Sequence, residues 1–272
     1  MIIALTRDVS PAIAHCELTH LARTTIDPEI ARAQHAAYER CLERAGCMVH
    51  RLDASPEMPD SVFVEDMAVI LDELALIARP GASSRRAESP AVADAVARYR
   101  PVRHIEAPAT LDGGDVLCAG RTVFIGRSAR TNLAGVEQAL RILCPLGYDV
   151  RTMEVRGCLH LKSAVTAVAE DALLVNPAWL PNADLAGFDV IDVDPTEPFS
   201  ANALRLPDRV LHAMAFPRTR ERLERRGVRV SSVDLSELAK AEGAVTCCSI
   251  LIPASPDRTW PEAPPGWRPP PA

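Results

Sequence analysis

Two adjacent thiols, Cys247 and Cys248, sit where the polar turn Gly243–Thr246 gives way to the apolar run Ile250-Leu251-Ile252. Successive side chains of a strand point to opposite faces, so one thiol can face a pocket while the other turns away; either is a candidate nucleophile. A thiol attacks as its thiolate, and a nearby imidazolium or a cationic substrate favours that form. His160, set between Leu159 and Leu161, is the candidate acid/base, and Asp112 is the carboxylate suited to orient it. Asp115 either joins them or fastens the turn that Gly113 and Gly114 permit. A second acidic group, Asp60, Glu65 and Asp66, flanks the apolar Val62-Phe63-Val64. Carboxylates beside an apolar core are costly unless cations meet them. They therefore imply either structural ion pairs or a receptor for a planar cation such as guanidinium, gripped side-on. Arg85 and Arg130 lie in polar turns that follow apolar strands and could hold a substrate carboxylate; the alternative for each is a solvated arginine at a helix start.

The elements that would position these groups form a repeat. A short apolar strand, a polar turn, an amphipathic helix, a second strand and a third, polar-mouthed element recur along the chain. First strands are predicted at Ile2–Leu5, Leu74–Ala78, Val123–Gly126, Ala172–Val175 and Val210–Ala213, at intervals of roughly 40 to 70 residues. Second strands are predicted at Met48–Leu52, Val102–Ile105, Tyr148–Val155, Phe188–Val193 and Val228–Val233. Asp27-Pro28 and Ser89-Pro90 open helices, and Gly46 and Gly227 close them. The third elements carry Asp60 to Asp66, Asp112 and Asp115, His160, Asn202, and Cys247. Five such units in one chain imply an α/β fold in which they pack radially, a five-bladed propeller-like arrangement that brings the third elements to one central pocket.

Composition narrows the rest. The chain has 272 residues, 48% of them hydrophobic, and a formal net charge of −6, which argues against a nucleic-acid partner. No apolar run approaches the ~20 residues of a membrane span, and Met1–Arg7 reads as a core strand rather than a signal peptide. Cys41, Cys47, Cys118, Cys144 and Cys158 read as reduced, mostly buried residues of a cytoplasmic protein. No HExxH, HxH or CxxC occurs, and His15-Cys16 with the acidic group lacks metal-ligand spacing, so no metal is expected. Neither GxGxxG nor GxxxxGK[ST] follows a first strand. Residues 1–254 read as one domain, and the proline-rich 255–272 as a tail.

Taken in order, Asp60-Ser-Val-Phe-Val-Glu-Asp66, Arg79–Arg86, Leu111-Asp-Gly-Gly-Asp-Val-Leu117, Ser128–Asn132, Leu159-His-Leu-Lys-Ser163, Ala201-Asn202 and Thr246-Cys-Cys-Ser249 resemble the dimethylarginine dimethylaminohydrolases. These belong to the guanidine-modifying superfamily, built on a five-bladed β/α propeller. The resemblance implies hydrolysis of Nω-methylated arginine to citrulline through a covalent cysteine adduct, without cofactor. It points to Cys247 as nucleophile, His160 as acid/base and Asp112 as its partner. It sets Asp66 at the guanidinium nitrogens, Asp60 and Ala241 near the α-amino group, Arg85 and Arg130 at the α-carboxylate, and Phe63 on the methyl-bearing side. Glu65 lies near the site, and Ser10–Asp27, with Leu18, corresponds to the family's mobile lid. Ala241-Glu242-Gly243 stands where a branched residue, Asp and Gly are more usual. The implied partner is a small guanidino amino acid, with a homodimer left open. The runners-up are a sibling arginine deiminase or citrulline hydrolase, and, more remotely, a non-catalytic ligand-binding propeller.

Overall fold

The computed structural model describes residues 1–254; the tail expected over 255–272 lies outside the described residues. Five three-stranded sheets make up the fold. The first holds β1 (Ile2–Arg7), β2 (Cys47–Leu52) and β15 (Ile250–Pro253); the second, β3 (Ala68–Ile70), β4 (Ala75–Ile77) and β5 (Val102–His104). The third holds β6 (Val116–Ala119), β7 (Thr122–Arg127) and β8 (Asp149–Glu154); the fourth, β9 (Val165–Ala167), β10 (Ala172–Val175) and β11 (Asp189–Asp192). The fifth holds β12 (Ala203–Arg205), β13 (Val210–Ala213) and β14 (Val230–Val233). In every sheet the middle strand runs antiparallel to one neighbour and parallel to the other. A parallel pair needs a crossover. α1 (Pro28–Arg44), α2 (Ser89–Val96), α3 (Leu133–Leu143) and α5 (Pro217–Arg225) supply it in four sheets, and two further single-turn helices are α4 (Leu161–Ala164) and α6 (Ser236–Ala239).

The repeat is offset from the predicted units. Each third element leads into a strand that pairs forward, with the first strand of the next unit: β3 pairs with β4, not with β1 or β2. The ring closes when the last described strand, β15, pairs with the first, setting Ile2 opposite Pro253. Strands β15 and β3, β6 and β9, and β9 and β12 contact one another across sheets, so the antiparallel strands are the inner ones of a five-bladed β/α propeller. Apolar side chains fill the wedges between blades; one wedge joins Ile3 and Leu5 of β1 to Val64, Met67, Ile77, Val92 and Ile252.

Local chemistry explains most helix ends and some departures. Asp27 caps α1 by accepting from the amides of Glu29 and Ile30, and Gly46 and Gly227 take positive φ after α1 and α5. Ser89 does not cap α2, because the chain arrives already coiled as a 3-10 turn, Ser83–Glu88; its hydroxyl donates to Ala78 O instead. The fourth unit lacks the expected helix: Pro177–Trp179 forms only a 3-10 turn before Pro181 interrupts. All eight cysteines are free; Cys144 is exposed rather than buried, since it ends α3 at the surface. No described helix is long and apolar enough to cross a membrane.

Candidate active site

Cys247 enters the site on a turn fixed from several sides. Its own amide donates to Ala244 O at 3.2 Å, and its carbonyl accepts from Glu65 N at 3.2 Å. Tyr38, fully buried, donates its hydroxyl to Val245 O at 2.8 Å. Asn202 grips Thr246 twice, accepting from its amide at 3.0 Å and meeting its hydroxyl at 2.9 Å. That hydroxyl donates to Glu65 at 2.6 Å, and the other Glu65 oxygen accepts from Lys162 Nζ at 2.7 Å. The pair lies within this turn rather than at the start of a strand, since β15 begins only at Ile250, and the turn sends the two thiols apart. Cys247 lines a cavity, whereas Cys248 is fully buried in the core against the first blade.

His160 lines the same cavity at the start of α4. Its Nε2 meets Asp112 Oδ2 at 3.0 Å, and its Nδ1 lies 3.7 Å from Asp66 Oδ1. Asp112 is held in turn by the amide of Gly81 at 2.8 Å. Gly114 is required here: a Cβ at that position would stand 2.6 Å from His160 Nδ1 and 2.8 Å from Asp66 Oδ1. Asp115 takes the structural role, accepting from Ser128 at 2.6 Å, Thr131 at 2.7 Å and the Leu161 amide at 2.9 Å, which fixes the turn carrying His160.

The acidic group and the arginines share the cavity wall unevenly. Asp60, Phe63, Asp66, Arg85, Arg130 and Ala241 all line it. Arg85 is nearly spent on the protein. It bonds both Glu88 oxygens at 3.1 and 2.8 Å, Phe63 O at 3.0 Å and Asp66 Oδ2 at 2.5 Å. It is thus placed to position Asp66 more than to meet a substrate carboxylate. Arg130 is freer, with one bond to Thr19 Oγ1 at 3.0 Å and Asp112 Oδ2 at 3.7 Å. Glu65 stands behind the site in its bonds to Lys162 and Thr246, and lines a separate cavity along the propeller axis. Leu18 packs on the core of the first blade. Asp66, Asp112 and His160 bring ligand-type atoms within 4.8 Å of one another, the one described cluster able to approach a metal ion.

Electrostatics separates the two reacting groups. Burial alone would lower the pKa of His160, but Asp66, the bond from Asp112 and Asp115 outweigh it and raise it to about 9. Burial raises the Cys247 thiol well above its ordinary value, and Glu65 and Asp66 push it further. Burial would also raise Asp66, yet His160 and Arg85 hold its carboxyl low. At neutral pH the free site is therefore an imidazolium beside a protonated thiol, in a field that favours a second cation.

The profile of the family described as "N,N dimethylarginine dimethylhydrolase, eukaryotic" matches residues 19–252. The N(G),N(G)-dimethylarginine dimethylaminohydrolase of Streptomyces coelicolor is 41% identical over 251 residues, covering 92% of this chain and 96% of that one. The chain belongs to the dimethylarginine dimethylaminohydrolase family. The dimethylaminohydrolase of Pseudomonas aeruginosa is 37% identical over 227 residues, covering 82% of this chain and 89% of its own. A solved structure of DDAH from that organism, a cysteine-to-serine mutant complexed with citrulline, superimposes with a TM-score of 0.87 at 34% identity, over 91% of this chain and 98% of that one. The N-terminal domain of ArgZ, at 18% identity and a TM-score of 0.80, shares the fold.

The wall of this dimethylaminohydrolase site also holds four residues to which the sequence assigns no site role, Glu17, Leu159, Glu242 and Gly243. Glu242 had a signal, since it departs from the usual residue beside the nucleophile turn. Glu88 had one too, because Arg85 and Glu88 stand three apart in a coiled segment, the spacing of a helical ion pair.

Proposed function

We propose that this chain hydrolyses Nω-methylated arginines, giving citrulline with dimethylamine or methylamine. The observation that carries the reading is the meeting of Cys247 and the His160–Asp112 pair at one enclosed cavity whose wall also holds Asp66, Asp60 and Arg130. In this reading the guanidinium lies against Asp66 with its methyl groups toward Phe63. The α-ammonium lies near Asp60 and Ala241, and the α-carboxylate meets Arg130. Leu18 acts with the segment over the site, and Glu65 holds the Cys247 turn in place.

The field explains why the thiol waits for substrate. The carboxylates that hold Cys247 protonated also draw in the guanidinium, and the arriving cation offsets their charge, so the thiol loses its proton to solvent. The thiolate attacks the guanidinium carbon, and His160, already protonated, gives its proton to the departing amine as the C–N bond breaks. This leaves an S-alkylthiouronium on Cys247. Neutral His160 then takes a proton from water, the resulting hydroxide adds to the same carbon, and the C–S bond breaks with Cys247 leaving as the thiolate and taking up the hydroxyl proton, which releases citrulline. None of these steps calls on a cofactor. The reading places the enzyme in the cytoplasm, consistent with its free thiols, and leaves a homodimer to be settled by mass in solution.

The test is citrulline release by purified protein from asymmetric dimethylarginine, monomethylarginine and arginine side by side, with citrulline consumption followed in parallel. Turnover of the methylated arginines far above that of arginine is expected. Turnover of arginine or citrulline alone would overturn the substrate assignment.

A further inference from the structure

One segment closes the cavity with almost no buried surface to hold it. From Glu17 to Thr25 no side chain is buried, and only Leu18 is partly covered. Apolar burial, the usual source of hold, is nearly absent from this strap. Polar contacts replace it. Asp60 accepts the Glu17 amide at 3.1 Å, and Arg130 reaches Thr19 Oγ1 at 3.0 Å. Arg23 ties the strap to the turn that precedes it, through Ala14 O at 2.7 Å and Cys16 O at 2.6 Å, while Ser84 donates to Glu17 at 2.6 Å and Lys240 to Thr25 O at 3.1 Å. Glu242 contributes most: one carboxylate oxygen accepts from Thr19 N at 2.9 Å, the other from His20 N at 2.5 Å and Leu21 N at 2.7 Å.

The backbone at Glu242 makes the same point from another side. Its φ is +60°, a region where glycine is the easier residue, so a side chain there is held against a conformational cost. Its bonds to the strap offset that cost. It also lines the cavity between Ala241 and Gly243, in the turn that leads to Cys247.

We propose, resting on the methylarginine reading of this cavity, that Glu242 is a positioning residue for the reaction. Through three backbone amides it holds the strap closed, which keeps Glu17 in the cavity wall and Thr19 against Arg130. It touches no reacting atom; it sets how well substrate is retained.

Two measurements on Glu242→Gly and Glu242→Asp decide it. Glycine suits the φ of +60°, so the first variant removes the carboxylate without straining the fold. Hydrogen exchange of the free protein should show the amides of Thr19, His20 and Leu21 in Glu242→Gly exchanging roughly tenfold to a hundredfold faster, the scale of lost charge-assisted bonds. The KM for dimethylarginine should rise by a similar factor while kcat stays within about threefold, and Glu242→Asp should recover part of both. Unchanged exchange in Glu242→Gly, or a fall in kcat at constant KM, would overturn the assignment. Exchange is read without substrate, so a wild-type protein that turns nothing over would refute the substrate reading and leave the strap assignment to exchange alone.

Discussion

The rim that carries Cys247, His160 and Asp66 and the strap that crosses above it are built on opposite terms. The two carboxylates beside His160 are buried and bonded more than once: Asp66 by Arg85 and the Gly114 amide, Asp112 by the Gly81 amide and His160. The strap is exposed and held by polar contacts from outside. Buried charges in fixed partnerships give preorganised chemistry, because their geometry cannot relax when substrate arrives. A segment with little apolar burial lies at the low-stability end of a fold and is free to open. On the proposed reading, the reacting groups sit on the firmly held part and the strap governs access.

Asp66→Asn tests the rim most severely. It removes a charge from the buried pair with Arg85, although Glu88 continues to meet the guanidinium. The expected cost is about 3 kcal/mol of stability, which for a domain of this size is roughly 6–12 °C in Tm, with turnover largely lost. A Tm within a degree of wild type would show that the rim is not the rigid part.

Asp112→Asn is a smaller perturbation with a sharper readout. His160 is raised to about 9 by its carboxylates, above its ordinary 6.5. Its proton therefore stabilises the fold fully below about pH 6.5, and that contribution is lost as pH rises through about 9. The same sign applies to catalysis, since the amine leaves only while His160 holds a proton: kcat/KM should fall above about pH 9. In Asp112→Asn the falling limb should move to lower pH and kcat should drop by about 10²–10⁴-fold. A falling limb that stays in place would remove Asp112 from its assigned role.

The division between rim and strap also marks what could be read from the sequence. Local signals were legible: Asp27-Pro28 and Gly46 bound α1, and the recurrence of short apolar strands, helices and polar-mouthed elements set out five repeated units. The residues at the mouths of those units converge because the propeller is real. What escaped depends on contacts between distant segments. That each third element pairs forward with the next unit, and that β15 closes the ring on β1, follows from packing around an axis rather than from any local pattern. The expected carboxylate partner for Arg85 gave way to Asp66 and Glu88 for the same reason: their bonds form only once the second blade is folded. Cys247 and Cys248 are chemically alike in sequence, and only the folded turn before β15 assigns one to the cavity and the other to the core. The hold of Glu242 on the strap joins opposite ends of the chain and leaves no local mark beyond the unusual residue itself.

Whether Cys247 carries the covalent chemistry is decided by rapid quenching of the enzyme with dimethylarginine, followed by intact-mass and peptide mapping. The expected result is a transient thiouronium adduct on the peptide bearing Cys247, assigned to that thiol by fragmentation and absent, together with turnover, in Cys247→Ser. An adduct on Cys248, or full turnover by Cys247→Ser, would contradict the account.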